Sequence, residues 1–272
     1  MKIKSGTHLS IFDTFKIKGE LTGEANRQRS ILTILANSTN PADRTRTGIS
    51  QRIAKEKGMS WKNIYSGIFR DLDEILIPLE IVEEDRSFYE MSGGGVTLGG
   101  GEVLMQPEAA ANLLMACKKE GINTAIETSG YASLSAVLQV AEFTDLFLYD
   151  MKHMDSDEHF ENTGVRNERI LNNLSELLKR RYNVKIRMPL LKGINDSWEE
   201  IDQVIQFLLP FKDYKNFKGI DLLPYHKFGV NKYNQLGKDY QINDNPSMTL
   251  EDMERIESWF KQYDFQVKVV NH

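Results

Sequence analysis

Residues 184–209 read VKIRMPLLKGINDSWEEIDQVIQFLL, and this stretch decides the fold. Val184, Ile186 and Met188 alternate with Lys185 and Arg187, the two-residue period of a strand. Gly193 interrupts the run. Asn195, Asp196 and Ser197 then supply an N-cap, with Glu200 in capping-box position to Ser197. Residues 198–209 carry the apolar spacing of an amphipathic helix. A strand followed at once by a helix is the repeating unit of a parallel sheet.

The same unit recurs in both directions. Short β-rich runs stand at 96–98, 124–127, 146–150, 184–188, 220–223 and 265–269, with helical patterns at 107–120, 134–141, 168–181, 198–209 and 250–263. Pro107 suits a first helical turn, and Gly121 after Lys118-Lys119-Glu120 suits a helix stop. The expectation is an α/β fold over residues 86–272, its parallel sheet closed or partly closed into a barrel. Before residue 90 the pattern is helical instead, at 27–38, 48–58 and 60–77. Within it, Ala54, Gly58, Ser60 and Ile64 have the spacing of a helix–turn–helix unit, which would turn Lys62, Asn63 and Ser66 towards a DNA groove. A plain helical hairpin with a solvated basic face has the same spacing. Residues 1–85 therefore read as a basic, mostly helical segment, with DNA a candidate partner through residues 48–70.

Charge follows this division. The net charge of −5 hides residues 16–63, where ten basic residues face four acidic ones. No apolar run approaches the ~20 residues needed to span a bilayer, and MKIKSGTHLS has no apolar core of a secretory signal, so the expected location is cytoplasmic. The chain has one cysteine, Cys117. One thiol makes no intramolecular disulfide, no cysteine-rich zinc site and no thiolate-held iron–sulfur cluster. Cys117 falls in the 107–120 helix among Leu113, Leu114 and Ala116, where a buried, inert thiol is expected.

Ligands of parallel α/β sheets gather at the carboxyl ends of the strands. Reading those ends in turn gives Gly99-Gly100-Gly101-Glu102, then Glu127-Thr128, Asp150-Met151-Lys152, Arg187, and Pro224-Tyr225-His226. Five consecutive strands thus end in charged or polar residues. Asp150 and Lys152 are two apart and would share a face in extended chain. The second glycine triplet lets a ligand touch backbone, whereas Gly93–Gly95 reads as a flexible lead-in. Neither matches a P-loop or dinucleotide fingerprint. Carboxylates from Glu102, Glu127 and Asp150 with cations from Lys152, Arg187 and His226 suit a zwitterion such as an amino acid, and not a polyphosphate.

GGGVTLGGGEVLMQPE (93–108), INTAIETSGY (122–131), LFLYDMKHMDSDEHFENTGVRNERILNNL (146–174), VKIRMPLLKGIND (184–196) and IDLLPYHKFGVNKYNQLG (220–237) together resemble the glycyl-radical-enzyme activating enzymes of the radical S-adenosylmethionine (SAM) superfamily. The likeness runs over roughly residues 86–271. It implies a radical SAM (β/α) barrel and chemistry in which a [4Fe–4S] cluster reduces SAM, and the 5′-deoxyadenosyl radical takes hydrogen from a backbone glycine of a partner glycyl radical enzyme. It places Gly100, Gly101 and Glu102 at the SAM amino group, Lys152, Arg187 and His226 around the carboxylate and sugar, and Glu127, Thr128 and Asp150 at a monovalent-cation site.

The chain departs from that family at the cluster. The family's three cysteines, spaced CxxxCxxC after the first barrel strand, are missing, and the basic helical segment stands where the strand and loop are expected. The five histidines have no clustered spacing that would replace the thiolates. The resulting expectation is a partial barrel lacking its usual first strand, an oxidoreductase relative that is incomplete or degenerate and inactive in radical chemistry, with SAM bound weakly. A DNA-binding regulator with a ligand-sensing barrel is the alternative.

Overall fold

The structure, a computed structural model, describes residue 82 and residues 85–99, 102–225 and 246–270. The helix–turn–helix reading of residues 48–70 lies outside the described residues, as do Gly100, Gly101 and His226. Six strands, β1 (Gly95–Leu98), β2 (Asn123–Thr128), β3 (Leu146–Asp150), β4 (Val184–Leu190), β5 (Phe217–Pro224) and β6 (Val267–Val269), form one sheet in chain order. The registers of β1 with β2, β4 with β5 and β5 with β6 are parallel. Helices α1 (Arg86–Ser92), α2 (Pro107–Lys119), α3 (Leu134–Ala141), α4 (Ser156–Thr163), α5 (Glu168–Lys179), α6 (Trp198–Leu208) and α7 (Leu250–Lys261) separate the strands. This is the α/β architecture expected from the strand–helix alternation. Among the described residues no helix is long and apolar enough to cross a membrane.

The chain forms two compact units. Among the described residues the first holds 85–128 and 132–147, the second 129–131 and 148–270.

In the first unit α2 starts at Pro107 and ends with Lys118 and Lys119 in its last turn, the charge its dipole favours, and Gly121 follows at φ +72°. Its buried face is Ala110, Ala111, Leu113, Leu114 and Cys117. Ser133 caps α3 by accepting from the Ala136 N–H at 3.3 Å. The first glycine triplet is no loose lead-in. Gly93 ends α1 at φ +65°, and Gly95 lies in β1, where a Cβ would overlap the backbone of Asn123.

In the second unit Ile170, Leu174, Leu177 and Leu178 of α5, Val204, Ile205 and Leu208 of α6, and Ile256 and Phe260 of α7 are buried with Ile186, Met188 and Leu222 of the sheet. Helix α7 opens on a complete capping box, Thr249 with Asp252. Helix α6 does not. Ser197 accepts from the Glu200 N–H at 3.2 Å, but the Glu200 carboxylate turns away and accepts from the Met154 N–H at 2.6 Å. Helix α4 has no counterpart in the sequence reading, because SDEHFENT lacks an apolar stripe. Local bonds set it: the Asp155 carboxylate accepts from the Asp157 and Glu158 N–H groups, each at 2.9 Å, and Gly164 ends it at φ +77°. Strand β4 runs past Pro189 to Leu190, two residues beyond its expected end.

Gly130 is the most constrained turn. It has φ +74°, a Cβ there would overlap the Tyr149 hydroxyl, and its carbonyl accepts from Asn173 Nδ2 at 2.8 Å. That hydroxyl is itself committed, donating to the Ile170 carbonyl at 2.7 Å. Gly130→Ala is expected to lower stability by about 3 kcal/mol, backbone strain plus overlap. Gly121→Ala, at φ +72° with nothing within 4 Å, should cost only about 1 kcal/mol. Urea unfolding of both variants measures the difference, and equal losses would show that the Tyr149 contact is not what fixes Gly130.

Candidate functional site

In the first unit, β1 and β2 carry the candidate residues at their carboxyl ends. After Leu98 and the buried Gly99 the chain reaches Glu102, half-buried, at the start of a short 3-10 turn, Val103–Met105. Glu102 Oε1 accepts from the Leu104 N–H at 3.2 Å and from the Thr128 hydroxyl at 2.6 Å. Thr128, the last residue of β2, is fully buried. The resemblance puts Glu102 at an amino group and Thr128 at a cation; the structure joins the two directly. A hydrogen bond to an ionised acceptor is the stronger kind, and here it fixes where the carboxylate points. Glu127 stands beside Thr128, half-buried.

In the second unit, β3 ends at Asp150 and the chain continues through Met151 and Lys152. Asp150 and Lys152 are 6% and 9% exposed. The strand stops at Asp150, so strand alternation does not extend to Lys152, and both residues are buried. The Met151 N–H donates to the Arg187 carbonyl at 2.9 Å, which holds the Lys152 segment against the middle of β4. Arg187 is half-buried in β4. At the end of β5, Tyr225 is buried and its N–H donates to the Leu190 carbonyl at 3.1 Å.

Three residues that the sequence reading did not assign to a site hold this segment. Asn195 Nδ2 donates to the carbonyls of Lys152 and Pro189, both at 2.8 Å, while its Oδ1 accepts from the Leu191 N–H at 2.8 Å. Asn167 Nδ2 donates to the carbonyls of His153 and Met154 at 3.0 and 2.6 Å. Glu200 takes the Met154 N–H and brings its other oxygen to 3.2 Å from His153 Nδ1. Burial pushes the Glu200 carboxyl up to about 7, against the Met154 bond that pulls it down, and burial pushes His153 down. Both directions favour the neutral forms over an ion pair. Asn195 lies in the predicted cap, but its long-range bonds leave no periodic signal.

Cys117 is fully buried in α2.

A parallel α/β sheet with buried, oppositely charged side chains at its strand ends is the class of a small-ligand enzyme fold. The Radical SAM superfamily model matches residues 57–208, more than half of the chain. The chain belongs to the radical SAM superfamily. It is 62% identical over 194 residues to the choline trimethylamine-lyase activating enzyme of Oleidesulfovibrio alaskensis, an alignment covering 71% of this chain and 63% of that protein. It is 40% identical over 191 residues to the trans-4-hydroxy-L-proline dehydratase activating enzyme of Clostridioides difficile, covering 69% and 62%. The chain thus spans less than two-thirds of the length of these two relatives. Among solved structures, a domain of pyruvate-formate lyase-activating enzyme from Bacteroides vulgatus superposes with a TM-score of 0.55 at 28% identity, covering 65% of this chain and 99% of that one.

The Thr128–Glu102 bond predicts a sharp contrast between two substitutions. Thr128→Val keeps the shape and removes the donor, which should cost about 1–3 kcal/mol. Thr128→Ser keeps the donor and should recover most of that loss. Denaturant unfolding of both variants checks it, and a loss in Thr128→Ser with none in Thr128→Val would show that the methyl group, not the hydroxyl, matters.

Proposed function

We propose that this chain carries the SAM-binding part of a glycyl-radical-enzyme activating enzyme, and that its 272 residues do not by themselves support radical chemistry. The observation that carries the first half is the 62% identity over 194 residues to a choline trimethylamine-lyase activating enzyme. The charge pattern supports it. When bound, SAM brings a zwitterionic amino acid group and a sulfonium. The donor set fits that group. Glu102 and the Gly100-Gly101 backbone would take the ammonium end. Lys152, Arg187 and His226 would take the carboxylate and sugar, and Glu127, Thr128 and Asp150 would seat a monovalent cation beside the carboxylate. Burial of Asp150 and Lys152 strengthens any charge–charge contact they make, because little water screens it.

The [4Fe–4S] cluster of the family does not fit the residues present. Such clusters are held by cysteine thiolates, and the single thiol of this sequence, Cys117, is sealed inside α2. No step through a cluster is therefore derived. The reading that follows is a barrel related to activators, able to hold SAM and to dock a glycyl radical enzyme such as choline trimethylamine-lyase, without its own electron source. The superfamily match begins at residue 57, inside the 48–70 segment that would bind DNA, and this favours the barrel reading over a regulator.

Calorimetry with SAM tests the proposal. The wild type should bind, and Glu102→Ala, Lys152→Ala and Arg187→Ala should each weaken binding about tenfold or more, the loss of one charge-assisted hydrogen bond. Equal affinities across the four proteins, or no binding by any, would contradict it.

A further inference from the structure

Glu200 and His153 form a buried pair that the reading above does not use. Their side chains are 6% and 8% exposed, and Glu200 Oε2 lies 3.2 Å from His153 Nδ1. The Asp155 N–H donates to the same Nδ1, also at 3.2 Å, so that nitrogen presents a lone pair. By geometry Oε2 has no hydrogen-bond donor of its own, because the Asp155 N–H, which also pulls on this carboxylate, is aimed at Nδ1. Two lone pairs facing each other in a buried place repel, and an unsatisfied buried oxygen carries its full desolvation cost. One proton resolves both problems: placed on Oε2, it donates to Nδ1.

The pair is not isolated from the strand end. Glu200 Oε1 accepts from the Met154 N–H at 2.6 Å, Asn167 takes the carbonyls of His153 and Met154, and Asn195 takes the carbonyl of Lys152. Three side chains from separate places in the chain therefore grip consecutive backbone groups from Lys152 to Met154. We propose that Glu200, sharing one proton with His153, is a positioning residue that sets the Lys152 backbone for the SAM amino acid group. The ligand part rests on the SAM reading above; the clamp itself does not.

The charged groups acting on the pair are acidic: Asp155, in the turn before α4, and Glu158 within α4. From the segment before α6 the contact is the Ile194 backbone, to which the His153 ring hydrogen-bonds. Burial and the nearby Asp155 carboxylate push the Glu200 carboxyl up to about 7, against the pull of the Met154 and Asp155 N–H groups. Below that pH the shared proton is in place. Above it, Glu200 ionises, the bond to Nδ1 is lost, and a buried negative charge stands beside Asp155. The hold on Met154 and Lys152 should loosen as pH rises.

The test uses the full chain with Glu200→Gln and Glu200→Ala. Glutamine keeps an acceptor for Met154 and an N–H for His153 at every pH, whereas alanine supplies neither. SAM affinity by calorimetry and amide exchange at Met154, corrected for the intrinsic pH dependence of exchange, are measured at pH 6.5 and 8.5. Between these two, the wild type should lose about fivefold in affinity relative to Glu200→Gln, a typical size for coupling between sites. Wild-type Met154 protection should fall in parallel while Glu200→Gln stays level. If Glu200→Ala is folded by circular dichroism, it should be weak and unprotected at both pH values; if it fails to fold, the wild type and Glu200→Gln decide the matter. SAM affinities with the same pH dependence in wild type and Glu200→Gln would overturn the positioning role while leaving the SAM reading intact. Wild type that binds no SAM, yet shows the expected Met154 exchange, would overturn the SAM reading and the ligand part, leaving the clamp. Unchanged Met154 protection in wild type across the two pH values would overturn the clamp.

Discussion

A charge taken out of water must be compensated, at several kcal/mol per ion if it is not. Asp150 and Lys152 end one strand with opposite charges, both under 10% exposed. Such a pair survives only where the backbone around it is held still and its remaining groups are satisfied. The surrounding polar residues do this work. Asn195 and Asn167 complete the carbonyls of Lys152, His153 and Met154, Glu200 completes the Met154 N–H, and Arg187 is tied to Met151 through the main chain. In the first unit Glu102 is fixed by Thr128 and Leu104 in the same way. These bonds set side-chain directions before any ligand arrives, which lowers the ordering cost of binding.

The sheet and the cluster are physically separable. The sheet is built from apolar alternation, helix caps and glycine turns, none of which involves a thiol. A cluster needs soft anionic sulfur at the right spacing. A chain can therefore build such a sheet and hold one sealed cysteine, as the described residues of this one do. The high identity to an activating enzyme and the lone thiol do not conflict. They report on different parts of the machinery, and fold kinship alone does not carry activity across.

Most of the sheet was legible because each strand is a short β-rich run and each long helix carries an apolar stripe. Strand β3 and helix α3 appear with their expected bounds. Helix α4 was not legible, since local caps at Asp155 and Gly164 replace an apolar face. The two-residue alternation that marks β4 ends at Met188, while in the fold the strand continues through Pro189 to Leu190. The candidate site divides along the same line. Residues that announce themselves by charge, Glu102, Asp150, Lys152 and Arg187, could be read from the chain, although Arg187 stands inside β4 and not at its end. Residues that work through distant backbone could not: Glu200 reaches Met154 across 46 positions, and its place in the sequence suggested only a capping box.

A radical SAM sheet whose sequence offers one buried thiol lacks donors for the family's cluster under the reading proposed above. Anaerobic reconstitution with iron and sulfide, followed by electron paramagnetic resonance of the dithionite-reduced protein and iron analysis, tests it most directly. Folded protein with no [4Fe–4S] signal and iron well below one cluster per chain is the expected result. A reduced cluster at one per chain, with cluster-dependent cleavage of SAM, would contradict it.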